Sequence, residues 1–211
     1  MKHEPERTIM QEKLKRLAVR LESHNFVVTI AETAEEAADF IKKAIPSGAS
    51  VGVGGSVTLD DLGLIEWLRD NPDVKFIDRY RMEDKKQAFR QSLLADVYLM
   101  STNAVTMDGC LYNVDGTGNR VASLIYGPDK VYVIAGANKI VKDIEEARIR
   151  VEQIAAPANN VRLNRDNPCV KTGECMHCNH ETTICNQYVM TRRSGVKGRI
   201  HVVLVNEELG Y

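Results

Sequence analysis

The sequence predicts a three-layer α/β/α domain whose sheet is mostly parallel and partly mixed. Three observations carry this. Short apolar runs rich in β-branched residues alternate with helical-period segments of ten or more residues, which implies parallel strands joined by right-handed crossovers. One tight turn, Met107-Asp108-Gly109, interrupts the alternation with a hairpin signal. Finally, 211 residues with 44% hydrophobic content can bury roughly 70% of the unfolded surface without disulfides, so one domain over 1–211 is expected.

Met10, Leu14, Leu17 and Leu21 recur at helical spacing among charged residues, so the first 20 or so residues form an amphipathic helix ending near His24-Asn25. FVVTIA (26–31) is a strand, and Thr33 with Glu36 is a capping box opening a helix through Ile45. SVGVGG is a second buried strand, followed by helical periodicity through Leu59, Leu62, Ile65 and Leu68. VKFID, a helix over 83–94 and DVYLMS repeat the unit, and NAVTMDGCLYNVDG supplies the hairpin that makes the sheet mixed. GTGNRVASLIYG restarts a helix, KVYVIAGA is a buried strand, and 141–154 is helical until Pro157 stops it. RIHVVLV is a last strand, added to the main sheet or paired at its edge.

Between Pro157 and that strand the character changes. Residues 159–198 show little periodicity, hold four of the five cysteines, and carry six basic residues, Arg162 to Lys197, against three acids. This reads as a Cys-rich metal-binding segment within the domain, tethered at both ends. Its pattern is Cys169-x5-Cys175-x2-Cys178-x6-Cys185, with His177 and His180 inside the last interval. Four thiolates so close can surround one tetrahedral ion or one cubane. Structural zinc usually takes two short knuckles and only one is present, so a [4Fe–4S] cluster is favoured, with zinc as the alternative because imidazole is a good zinc ligand. Five cysteines without an export signal, and no apolar run near the ~18 residues of a membrane span, point to a reducing cytoplasm and no membrane.

Two loops carry the signs of an anion site. After the second strand, Gly54, Gly55, Ser56 and Thr58 aim backbone N–H groups and hydroxyls at one point, suited to a phosphate or carboxylate. No lysine follows and the spacing is not G-x-G-x-x-G, so neither a P-loop nor a dinucleotide fingerprint is present; an ordinary glycine turn capped by Ser56 or Thr58 is the plainer reading. NVDGTGNR brings together Asn113, Asp115, Gly116, Asn119 and Arg120 where a strand meets a helix. Arg120 could grip a carboxylate in two bonds, or Asp115-Gly116 could be a simple turn with Arg120 on the surface. Asn103 and Lys139 end other strands, and in a parallel sheet these ends share one face. Trp67 and Tyr80 read as packing residues and the lone Cys110 as a buried thiol.

VGVGGSVTLDDLGL, the block from STNAVTMDGC to AGANKIV, and NPCVKTGECMHCNHETTICN, in that order, resemble the lactate-utilisation (LUD) domain family in a short stand-alone form. The resemblance spans 10–211 and implies a fold similar to the ribose-5-phosphate isomerase and CoA-transferase group, in which the strand-to-helix glycine loop often holds a phosphate or carboxylate. It supplies no matched catalytic carboxylate. Better-known members belong to an iron–sulfur system oxidising L-lactate to pyruvate, and the cysteine spacing here differs from ferredoxin-type runs.

The leading functional expectation is therefore a redox accessory protein or subunit in organic-acid utilisation. It would hold a small anionic ligand and work with other iron–sulfur or lactate-oxidation proteins, with room for a homo-oligomer. The alternative is an isomerase- or CoA-transferase-like enzyme acting on a sugar phosphate or acyl thioester, with structural zinc. A zinc-stapled nucleic-acid binder using Arg192, Arg193, Lys197 and Arg199 ranks last, because net charge is −1 and Tyr188 is the one nearby stacking aromatic.

Overall fold

The structure is a computed structural model that describes residues 4–211; the first three residues of the expected amphipathic helix lie outside the described residues. In chain order the elements are α1 (Glu4–Ser23), β1 (Val27–Ala31), α2 (Ala34–Ala44), β2 (Ser50–Val53), α3 (Val57–Asp61), α4 (Leu64–Asp70), β3 (Lys75–Phe76), α5 (Lys85–Ser92) and β4 (Val97–Ser101). Then come β5 (Ala104–Thr106), β6 (Leu111–Asp115), α6 (Asn119–Ile125), β7 (Lys130–Gly136), β8 (Ile140–Val141) and α7 (Ile144–Arg150). The chain finishes with α8 (Ala156–Arg162), α9 (Pro168–Thr172), β9 (Gln187–Thr191) and β10 (Ile200–Val205).

Six strands form one sheet in the order β1-β10-β7-β4-β2-β3, and each pairing is parallel. Successive side chains of a strand point to opposite faces, and here both faces are covered. Val97 and Leu99 of β4, Tyr132 and Ile134 of β7, and Val203 and Val205 of β10 face a core closed by α2, α3 and α4. Their neighbours Tyr98, Met100, Val131, Val133, Val202 and Leu204 face a second core, closed by Leu14, Leu17 and Leu21 of α1 and Leu124 of α6. This is why these strands read as unbroken apolar runs.

The mixed character lies in a second sheet rather than within the first. β8-β5-β6-β9 contains the expected hairpin, β5 antiparallel to β6 around Gly109, together with a parallel β5–β8 pair and an antiparallel β6–β9 pair. β10 does not take an edge position: it sits between β1 and β7, its six residues Ile200–Val205 all buried. Nor does Pro157 end the helix before it. A π-helical turn over Val151–Ala155 leads directly into α8, where the proline lies in the first turn, and Glu152 O, five residues before it, accepts from the Cys175 N–H instead. Trp67 packs against the first core as expected, whereas Tyr80 is 43% exposed, with Arg69 and Arg79 over its ring. Among the described residues no helix is long and apolar enough to cross a membrane.

Residues 163–186 contain little regular structure, yet they are stitched into the domain at both ends. Asn167 donates through Nδ2 to Thr182 O and to the buried Asn160 side chain of α8, and β9 extends the second sheet along β6.

Candidate functional site

The carboxyl ends of β2, β4 and β7 and the loop after β6 open into one cavity of about 450 Å³. Nine of the eleven ligand residues expected from sequence line it: Gly55, Ser56 and Thr58 beyond β2, Asn103 beyond β4, Asp115, Gly116, Asn119 and Arg120 beyond β6, and Lys139 beyond β7. Gly54 and Asn113 stand behind the wall. Gly54 donates its N–H to Leu99 O, and a Cβ there would come within 3.0 Å of the Arg120 stem, so glycine is what lets Arg120 lie flat against β2. Asn113 is fully buried against the Arg120 guanidinium.

Arg120 is the stitch between the two sheets. Its Nη1 donates to Ser101 O on β4 at 2.9 Å and also to Asn113 Oδ1; its Nη2 donates to Val114 O on β6 at 2.8 Å and to Asn103 Oδ1 at 3.1 Å. Asp115 lies 3.6 Å from Nε, and its carboxylate accepts from the N–H groups of Thr117, Gly118 and Val121, holding the turn into α6. Both edges of the fork are thus engaged by the protein itself, which leaves Arg120 a positioning role.

Lys139 lies deeper than a strand-end residue is expected to, only 4% exposed. Its Nζ stands 2.8 Å from Thr58 Oγ1 and 2.9 Å from Ser101 Oγ. Burial first, then Arg150 and Arg120, push its amine down to about 7, with Asp61 opposing them. Arg150 is itself buried, donating to Asn138 O and Asn103 O, and fixes the segment that carries Lys139.

The rest of the lining was not expected from sequence. Arg79 lies 4.5 Å over the ring of Phe89, and Lys85, Arg162 and Arg165 complete a cationic mouth. Arg162 and Arg165 count in the sequence only as charges of an irregular segment, and Arg79 and Lys85 flank a turn with no motif. Ser101 alone had a readable signal, as the last residue of a buried strand.

The cysteine segment borders this cavity. Ile184 lines it, and a Cβ on Gly116 would come within 3.1 Å of Ile184, so the 115–120 loop and the residue preceding Cys185 are in close contact. Asn186 reinforces the seam, its N–H reaching Asp115 O and its side chain Gly116 O.

Cys169 on α9 is buried and accepts from Asn160 Nδ2 at 3.4 Å, while Cys175 accepts from the backbone N–H of His177 at 3.4 Å. Cys175, Cys178 and Cys185 are half-buried and all the thiols are free. Burial, with Cys175, Cys169 and Cys178 adding to it, pushes the Cys185 thiol up to about 11, so the other three thiols lie near enough to Cys185 to act on it. Among the described residues, however, no three His, Cys, Asp or Glu side chains are gathered as a single-ion metal site. His177 lies 3.9 Å from Glu152 and His180 bonds Thr182. Cys110 is buried in its hairpin, as expected.

The model of one protein family, the LUD domain, matches residues 14–205. The chain belongs to the LUD domain family. Among solved structures, this LUD chain is similar to a DUF162 family protein from Deinococcus radiodurans, with 18% identity and a TM-score of 0.53 over 93% of this chain and 98% of that one. At that identity the likeness concerns the fold. No curated protein matches.

Proposed function

We propose that this LUD-domain protein is a redox accessory protein of organic-acid utilisation, holding a small carboxylate in the cationic cavity beside a four-cysteine centre. The observation that carries the reading is the shared wall: Ile184, next to Cys185, lines the cavity against Gly116. The donor set of the segment suits an iron–sulfur cluster. Cys169, Cys175, Cys178 and Cys185 supply four thiols, and N–H groups of Asn160 and His177 already point at two sulfurs, the bonds that stabilise thiolate ligands. A bound cluster supplies one-electron transfer.

The chain's own groups account for the rest. Arg79, Lys85, Arg162 and Arg165 draw an anion inward, Arg120 keeps the loops in register, and Ile184 separates the ligand from the sulfurs. Anaerobically purified protein should contain iron and acid-labile sulfide, with about four of each per chain for the cubane. Zinc without sulfide would replace the redox reading by the structural-zinc one. In that case the cationic mouth favours the isomerase- or CoA-transferase-like alternative, whose substrates carry phosphates.

A further inference from the structure

Lys139 is poorly explained as one more anion-binding charge. Its ammonium would be buried beside two neutral hydroxyls, with no carboxylate of the described residues paired to it, and would face Arg150 from α7 and Arg120 from α6, opposed by Asp61 of α3. Burying an unpaired cation is costly, and the environment resolves the cost by leaving much of the amine uncharged near neutral pH. An uncharged amine in a cavity is a nucleophile, and desolvation is one established way of activating it. The surrounding mouth is cationic and suits a carboxylate. A small molecule that satisfies both groups carries a carboxylate next to a carbonyl.

We propose that Lys139 forms an imine with the carbonyl carbon of a small 2-oxo acid whose carboxylate is held in the cationic cavity. This rests on the anion-cavity reading above and is independent of the cysteine centre. The Nζ lone pair adds to C2, and the carbonyl π pair moves to oxygen, which takes the proton that nitrogen gives up. Thr58 Oγ1 and Ser101 Oγ, both within hydrogen-bond distance of Nζ and 3.3 Å from each other, are placed to pass that proton. The carbinolamine takes up one further proton, its C–O bond breaks, water leaves, and the nitrogen lone pair closes the C=N bond. Amine, carbonyl and one proton thus become iminium and water, with no change of oxidation state. The iminium withdraws electrons from C3, so a hydrogen there is released to solvent and regained, which gives the protein an exchange activity of its own.

The test uses the full chain with pyruvate, and separately with glyoxylate, in the presence of cyanoborohydride, which delivers hydride to the C=N bond and fixes the adduct. Peptide mass spectrometry should place the reduced adduct on Lys139, and in deuterium oxide the pyruvate methyl group should acquire deuterium. Lys139→Arg and Lys139→Met should lose both signals while keeping the wild-type circular dichroism, and Thr58→Val should slow exchange without removing the adduct. Calorimetry with pyruvate and with inorganic phosphate separates the two readings. A protein that binds pyruvate but yields no Lys139 adduct overturns the imine and leaves the anion cavity standing. Adducts spread over surface lysines and unchanged in Lys139→Met overturn it as well, and binding of neither anion sinks both readings together.

Discussion

The six-stranded sheet and the cysteine-bearing stretch 163–186 hold their shapes by different means. In the sheet each central strand buries both faces, so its stability comes mainly from apolar area. In the stretch there is little apolar area to bury; a few polar bonds between buried asparagines, Asn160 and Asn167, and the ends of α9 and β9 fix it instead. Shape in the first region comes from many interchangeable contacts, and in the second from few irreplaceable ones. Stability and chemistry should accordingly separate under mutation.

The largest effect is expected in the sheet. Leu204→Ala in β10 removes a fully buried side chain and should lower unfolding free energy by about 2–5 kcal/mol in urea titration. A loss below 1 kcal/mol would contradict a sheet held by two-sided packing. Arg120→Lys comes next: one ammonium cannot reproduce four directed bonds to Ser101, Asn113, Val114 and Asn103, and about 1–3 kcal/mol of stability should go. If anion affinity falls while stability holds, the guanidinium touches ligand after all.

Asn160→Ala should cost a similar 1–3 kcal/mol, but locally, as faster amide exchange over 165–186 with the sheet amides still protected. Global loosening would mean that the two regions are one cooperative unit.

Acid titration sharpens the comparison. Burial, then Lys130, depresses His201 of β10 to about 4, below its ordinary 6.5. Above pH 6.5 the ring is neutral folded or unfolded; between 6.5 and 4 the unfolded chain takes the proton first, so stability falls as pH falls across that window. His201→Phe, which keeps the ring packing against Phe40, should flatten that slope in thermal melts at pH 4.5 and 7. The smallest effect belongs to Cys178→Ala, which should leave helical circular dichroism unchanged while removing bound metal; unfolding would make the thiols a core staple.

The same contrast explains what could be read from the sequence. β4, β7 and β10 are legible as strands because burial on two faces writes continuous apolar runs, and the cavity's strand ends follow from parallel topology. The location of β10 between β1 and β7 is not legible, because placement is settled by pairing between residues as distant as Val27 and His201. Pro157 misleads because a π-helical turn lets the chain restart a helix around it. At the site, residue types and loops are legible, but the depth of Lys139 and the full engagement of Arg120 depend on neighbours from four separate segments. Arg79 and Lys85 carry no local signature at all.

The central placement of β10 also sets the order in which the molecule can be completed during synthesis. β1 joins the sheet only through β10, so the amino-terminal strand and its helix must wait for residues 200–205 before either edge is closed. Until then β1 and β7 both present unpaired backbone, the kind of edge on which nascent chains aggregate. A chain cut short before residue 200 has the cavity loops and all the thiols, yet carries two sticky borders where the finished protein has a sealed seam.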